Sequence, residues 1–257
     1  MDLFLRKELF TYFMNVLLAC EESQEVCKAF RKKGHNAYSC DIIECSGGHP
    51  EWHIKGDVLN YINPTFFESD LSYGIGFITM DNKGHFIQGK WDMIIAFPPC
   101  THLCNSGARH FEKKRKDGRQ RKSIEFFCRI LNAECEKIVI ENPIGIISGN
   151  YITDHFPELA EKYSLPIKPS QIVHPWMFKD NHAKSTCLWE KGVPLLIPEI
   201  TEQPELEYFE WIDSKTGKKK RQPKWYYECA LLPPKERAKQ RSKTFPGIAR
   251  AMAEQWG

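Results

Sequence analysis

No apolar run in this chain approaches the roughly 18 residues a membrane-crossing helix requires, which excludes a helical transmembrane protein. The opening Met1-to-Phe13 segment breaks its apolar residues with Asp2, Arg6, Lys7 and Glu8, so it reads as neither signal peptide nor anchor. An excess of charge is also missing: a formal net charge of +3 is too small to mark a nucleic-acid binder by its average. The ten cysteines are scattered, without the dense framework of a small disulfide-stapled domain, and point to reduced thiols in a cytoplasm. Metal-site spacing is wanting too. Cys100, His102, Cys104 and His110 alternate instead of forming a cysteine pair followed by a histidine pair, and His49 and His53 lack a third convergent ligand, so no metal is expected.

What is present is a chain of 257 residues, 42% apolar, long enough for one well-buried domain with an appendage. Its organising stretch is Trp91-Asp92-Met93-Ile94-Ile95-Ala96-Phe97-Pro98-Pro99-Cys100. The short apolar run reads as a buried strand that stops at Pro98, because proline cannot donate to a ladder. In an open α/β sheet ligands gather outside the carboxyl ends of strands, so the Cys100 thiol is delivered where chemistry happens. A second run, Lys137-Ile138-Val139-Ile140-Glu141-Asn142-Pro143, ends the same way, with a carboxylate and an amide at its exit.

Upstream, Asn15–Cys20 reads as a first strand and Val26, Ala29 and Phe30 as the apolar face of a helix closed by Gly34. Asn36–Cys40 reads as a second strand ending in Asp41. An acid just past the second strand of such a unit accepts hydrogen bonds from ribose hydroxyls in nucleotide-binding folds. The intervening loop, Glu21-Glu22-Ser23-Gln24, has no glycine and therefore no phosphate-cradling nest. Residues 63–90 read as an insertion with a hairpin, either extending the sheet edge or serving oligomer contact. Two basic blocks, Lys113–Lys122 and Lys215–Arg221, have the composition expected of phosphate contacts. Tyr208–Ile212 and Lys224–Tyr227 read as the aromatic strands of a second hairpin across Gly217.

Strands ending in Pro98-Pro99-Cys100 and Glu141-Asn142-Pro143 resemble motifs of the cytosine-C5 DNA methyltransferases, most closely the compact phage-type members. The resemblance runs in pieces from Asn15 to the C-terminus. It implies an α/β fold: a Rossmann-like S-adenosylmethionine-dependent methyltransferase sheet with helices on both faces, and a small C-terminal hairpin appendage. The core would span 1–190, the appendage 191–241, and 242–257 would return to the core as a helix.

The resemblance also implies roles. Cys100 would be the nucleophile and Glu141 the acid, with Asn142 fixing backbone geometry. Glu21, Glu22, Ser23, Asp41, Asp57, Pro98, Thr244 and Gly247 would surround S-adenosylmethionine. Two of these have plainer readings: a helix-end carboxylate for Glu21 or Glu22 and a helix N-cap for Asp57. Arg109, in a loop that enters DNA in the resembling enzymes, would touch phosphate. Lys184 and Thr186 stand where larger members carry an arginine motif for the cytosine oxygen, and Phe-Pro-Pro-Cys puts a thiol where amino-methyltransferases need a stacking ring. The partner implied is DNA, double-stranded with a flipped base or single-stranded, in a bacterial or phage-infected cell. Two rival functions share the scaffold: another thiol-dependent pyrimidine-modifying enzyme, and a catalytically silent DNA-binding or restriction-evasion protein.

Overall fold

The computed structural model describes residues 13–69 and 71–257. The amphipathic pattern of Met1 to Tyr12, expected to pack on the sheet edge, lies outside the described residues. In chain order the strands are β1 (Asn15–Ala19), β2 (Asn36–Asp41), β3 (His53–Lys55), β4 (Thr65–Phe67), β5 (Ser72–Ile78), β6 (Gly84–Gln88), β7 (Met93–Ala96), β8 (Lys137–Pro143), β9 (Gln171–Val173), β10 (Thr186–Lys191), β11 (Tyr208–Ile212) and β12 (Lys219–Pro223). The helices are α1 (Glu25–Lys32), α2 (Phe111–Lys116), α3 (Arg119–Leu131), α4 (Tyr151–His155), α5 (Pro157–Tyr163), α6 (Lys224–Leu231), α7 (Pro234–Ser242) and α8 (Pro246–Trp256).

Seven strands form the central sheet in the order β3-β2-β1-β7-β8-β10-β9. The first five are mutually parallel, and β10 runs antiparallel to both its neighbours. The sheet is compatible with a Rossmann-like fold. Chain order reverses at β1, whose neighbours β2 and β7 are reached in opposite directions, and a crevice opens beyond the strand ends at such a point. Because β10 is antiparallel, its first residue, Thr186, pairs with Pro143, the last of β8. The loop before β10 is thereby brought to the rim where β1, β2, β7 and β8 end.

Side chains alternate across the sheet with the strand period of two. Leu17, Ala19, Ile94, Ala96, Ile138 and Ile140 face a core shared with α3, α4 and α5. Val16, Leu18, Met93, Ile95, Val139 and Leu188 face α1 and α8. Both faces are covered, which is why the central strands read as continuous apolar runs. Among the described residues no helix is long and apolar enough to cross a membrane.

Three segments depart from the sequence reading. Residues 63–90 do not extend the central sheet; β4, β5 and β6 form their own antiparallel sheet. Alternation explains this: Ile75, Phe77 and Ile87 point inward onto Tyr38 and Trp91, so the insert packs face-on. The segment around Arg109, expected as a loop, forms a 3-10 turn over Asn105–His110 that runs into α2, ordered by burial of Phe111 and Lys114, and α3 begins at Arg119. In the appendage β11 pairs with β12, not with Lys224–Tyr227, and those aromatics sit on α6. Register decides it: Tyr208 pairs with Pro223, which ends the ladder and starts the helix.

Candidate active site

The rim formed by the carboxyl ends of β1, β2, β7 and β8 opens into a cleft of about 1170 Å³. From β1 and β2 come Glu21, Glu22, Ser23 and Asp41; from β7 comes Cys100; from the loop before β10 comes Lys184; Thr244 closes the far side. These seven of the residues expected from the sequence line one space.

Cys100 opens a single helical turn, with the Cys104 amide donating to its carbonyl at 2.9 Å, so the two thiols stack one turn apart. Cys104 has its sulfur 3.0 Å from Ser106 Oγ, with the amides of Ser106 and Gly107 beside it. Cys100 and these donors together hold the Cys104 thiol well below its usual range. Cys100 is pushed up instead, first by the neighbouring Cys104, then by burial and the nearby Glu141; Lys184 opposes. The sequence reading noted Cys104 only as a possible metal ligand; its spacing of four from Cys100 was the available signal.

The Cys100 turn is tied to the exit of β8 at three points. Asn142, 2% exposed, donates from Nδ2 to the Pro98 carbonyl at 2.8 Å. Ile146 N donates to Leu103 O at 2.9 Å and Asn105 N to Ile144 O at 3.2 Å. Gly145 lies so close that a Cβ there would sit 2.2 Å from the Leu103 oxygen. Glu141, half-buried at the same strand end, acts on Cys100 electrostatically but is not among the residues that line the cleft. Pro98 and Asn142 thus fasten the two strand ends together behind the cleft wall.

At the other end, Glu21 is buried and both its oxygens are engaged, accepting from Val26 N at 2.6 Å and Cys27 N at 3.1 Å. It caps α1, as the plainer reading had it, and burial pushes its carboxyl up to about 8. Asp41 is raised mainly by burial, held in part by the amides of Ile43 and Ile42, and opens on the cleft beside half-buried Glu22. Gln24, where the resembling enzymes carry glycine, adopts φ 57°, the left-handed conformation glycine favours. Its amide compensates, donating to Ser39 Oγ at 3.1 Å and His49 O at 2.9 Å and accepting from His49 N at 3.1 Å. Gly47 is the counterpart, since a Cβ there would meet the Gln24 Cβ at 2.5 Å.

Four expected site residues lie elsewhere. Asp57 is exposed and caps a 3-10 turn through Leu59 N at 3.0 Å, away from the cleft lining. Gly247 gives its amide to Asp180 Oδ2 at 2.7 Å and packs against the Phe178 carbonyl. Arg109 is exposed and its Nε lies 3.0 Å from His110 Nε2. Thr186 is buried in the β8–β10 ladder. His49 stacks on Trp52, and His53 bridges Ser39 Oγ and Ile43 O at 2.9 Å each. Among the described residues no three His, Cys, Asp or Glu side chains converge as a metal site requires.

The cleft also has a wall the sequence reading missed: Trp225 and Tyr226 of α6, and Lys235, Arg237, Lys239 and Arg241 of α7. Its signal was Pro233-Pro234 before nine residues without an apolar stripe, since proline at the first turn starts a helix. The cleft is thus acidic where β1 and β2 end and cationic where the appendage closes it, with Cys100 between. No protein-family model and no curated protein matches the chain.

Proposed function

We propose that the protein transfers a methyl group from S-adenosylmethionine to C5 of cytosine in DNA through a covalent bond to Cys100. The observation that carries this reading is that Cys100 and Glu141 leave adjacent parallel strands at one rim, fastened there by the Asn142–Pro98 bond. A thiol and a carboxyl on neighbouring strand ends are what attack at C6 and a hydrogen bond at N3 of one pyrimidine require.

The acidic end suits the cofactor. Asp41 would accept from ribose hydroxyls, and the acidic lining at Glu22 and Asp41 suits a cationic sulfonium and ammonium. S-adenosylmethionine, when bound, supplies the methyl group that the activated C5 takes. Glu21 serves this end indirectly, by ordering the start of α1.

Cytosine C5 is too weakly nucleophilic to react unaided. Cys100 attacks C6, its sulfur forming the new bond while its proton passes to solvent water. The electron pair displaced from the C5–C6 bond makes C5 enamine-like, and the Glu141 carboxyl hydrogen-bonds at N3. After methylation the C5 proton leaves to a base, the sulfur–C6 bond breaks, and Cys100 takes back the pair. A base in a duplex would have to leave the stack to reach Cys100, whereas one in a single strand would not.

Incubation with tritiated S-adenosylmethionine and cytosine-containing DNA tests the reading. Label at C5 of cytosine is expected with the wild type and none with Cys100→Ala. Label on dCMP but not DNA would favour the other thiol-dependent enzyme class, and no label anywhere would leave the silent scaffold.

A further inference from the structure

We propose that α7 is the wall along which a single strand of DNA lays its phosphates, with Trp225 and Tyr226 as the surface for its bases. This deepens, and rests on, the reading of the cleft as a site for a polynucleotide.

The first ground is unspent charge. Lys235, Arg237, Lys239 and Arg241 lie on α7 and Lys243 follows it; among the described residues none of the five is in an ion pair. Arg237 donates to the Ala230 carbonyl at 3.2 Å and Arg241 to the Tyr226 hydroxyl, which fixes their direction without neutralising them. The denser basic runs are neutralised in part, while among the described residues Lys113, Lys114, Arg115 and Lys122 of the first and Lys215, Lys218 and Arg221 of the second are in no ion pair either. In the first, Lys116 pairs with Glu112, Arg119 with Asp117 and Arg121 with Glu158. In the second, Lys219 pairs with Glu210 and Lys220 with Asp213.

The second ground is that α7 has no reason to exist as core. None of its nine residues is buried. A helix so short is marginal alone, and one polar all round gains little from packing. Its place on the wall of a cleft that also holds Cys100 gives the charges an address.

The third ground is the pair of aromatics. Trp225 is braced by Phe245 at 5.2 Å and His182 at 5.8 Å, and Arg241 lies 4.1 Å over Tyr226. Both half-buried rings line the same cleft as the cations. A cationic groove set with aromatic rings is how proteins hold single strands, phosphates on the charges and bases on the rings. A duplex keeps its bases stacked inside and offers such rings only groove edges.

The test is fluorescence anisotropy with an end-labelled single-stranded DNA oligonucleotide, without methyl donor. Lys235→Ala/Lys239→Ala should weaken binding about tenfold and lower the salt slope by about 1.4, at roughly 0.7 per phosphate lost. Lys219→Ala/Lys220→Ala, on the hairpin, should stay within about twofold, and a duplex of the same sequence should bind at least about tenfold more weakly. Circular dichroism checks that both variants fold; the exposed positions predict no change. Wild-type affinity in the α7 variant, an equal loss in the hairpin variant, or a duplex bound as tightly as the strand would each overturn the proposal. Unchanged binding with methyl transfer intact rejects α7 alone, and the expected binding loss without any methyl transfer rejects the enzyme reading alone.

Discussion

The two ends of the cleft are built in opposite ways. At the β1–β2 end the acids are fixed by the backbone: Glu21 caps α1 through two amides, and Asp41 is held by the amides that follow it. At the α6–α7 end the cations stand on an exposed helix and reach over open space. On the function proposed above, the difference matches a small cationic cofactor at one end and a polyanion at the other. A small cation of fixed shape is best met by preorganised carboxylates, since little ordering remains to be done on binding. A flexible polyanion is met by mobile charges at the surface, where screening is strong and each contact contributes little.

Substitutions can break this comparison, in descending order of effect. Cys100→Ser removes the chemistry between the ends and should lower methyl incorporation on the order of 10⁴-fold or more, while calorimetry and anisotropy find both ends binding as before. Glu141→Gln keeps the shape but loses the acid, and kcat should fall about 10²–10⁴-fold. Asp41→Ala acts on one end alone. Titration calorimetry should find S-adenosylmethionine bound roughly ten- to a hundredfold more weakly, the worth of hydrogen bonds to a charged group, with oligonucleotide affinity unmoved.

Asn142→Ala cuts the seam behind the cleft. Leaving the Pro98 carbonyl without its partner should cost about 1–3 kcal/mol in urea unfolding, and wild-type stability would deny the seam its role. Smallest is a pH effect at the acidic end. Because burial raises folded Glu21 to about 8 from an ordinary 4.5, the folded state holds its proton longer than the unfolded one. Its stabilising share is full below the unfolded value and is lost as pH climbs toward about 8. Between pH 5.5 and 8.5 the wild type should lose at least about 1.4 kcal/mol, one pH unit's worth, relative to Glu21→Gln. Parallel pH dependence in the two would remove Glu21 from this account.

Much of the core was legible. Apolar runs marked β1, β7 and β8, the last two stopped by proline, because a sheet buried on both faces leaves few polar interruptions. The residues at their exits, Asp41, Cys100 and Glu141, followed from strand position alone. Roles that depend on partners were hidden. Lys116, Arg119 and Arg121 read as a phosphate-binding run until Glu112, Asp117 and Glu158 were found beside them. Asp57 and Gly247 matched short motifs whose ordinary uses, a cap and a close approach, are what the fold makes of them. Gln24 in a glycine's place became intelligible only with Gly47 packed against it.

The central claim, a sulfur–carbon bond from Cys100 to cytosine C6, is tested most directly by trapping it. With S-adenosylmethionine and an oligonucleotide containing 5-fluorocytosine, release is blocked because no proton can leave C5. Mass spectrometry should find one protein joined to one oligonucleotide plus one methyl group, with the link mapping to Cys100 and absent in Cys100→Ser. A link mapping to Cys104, or methylated product formed with no adduct at all, would contradict it.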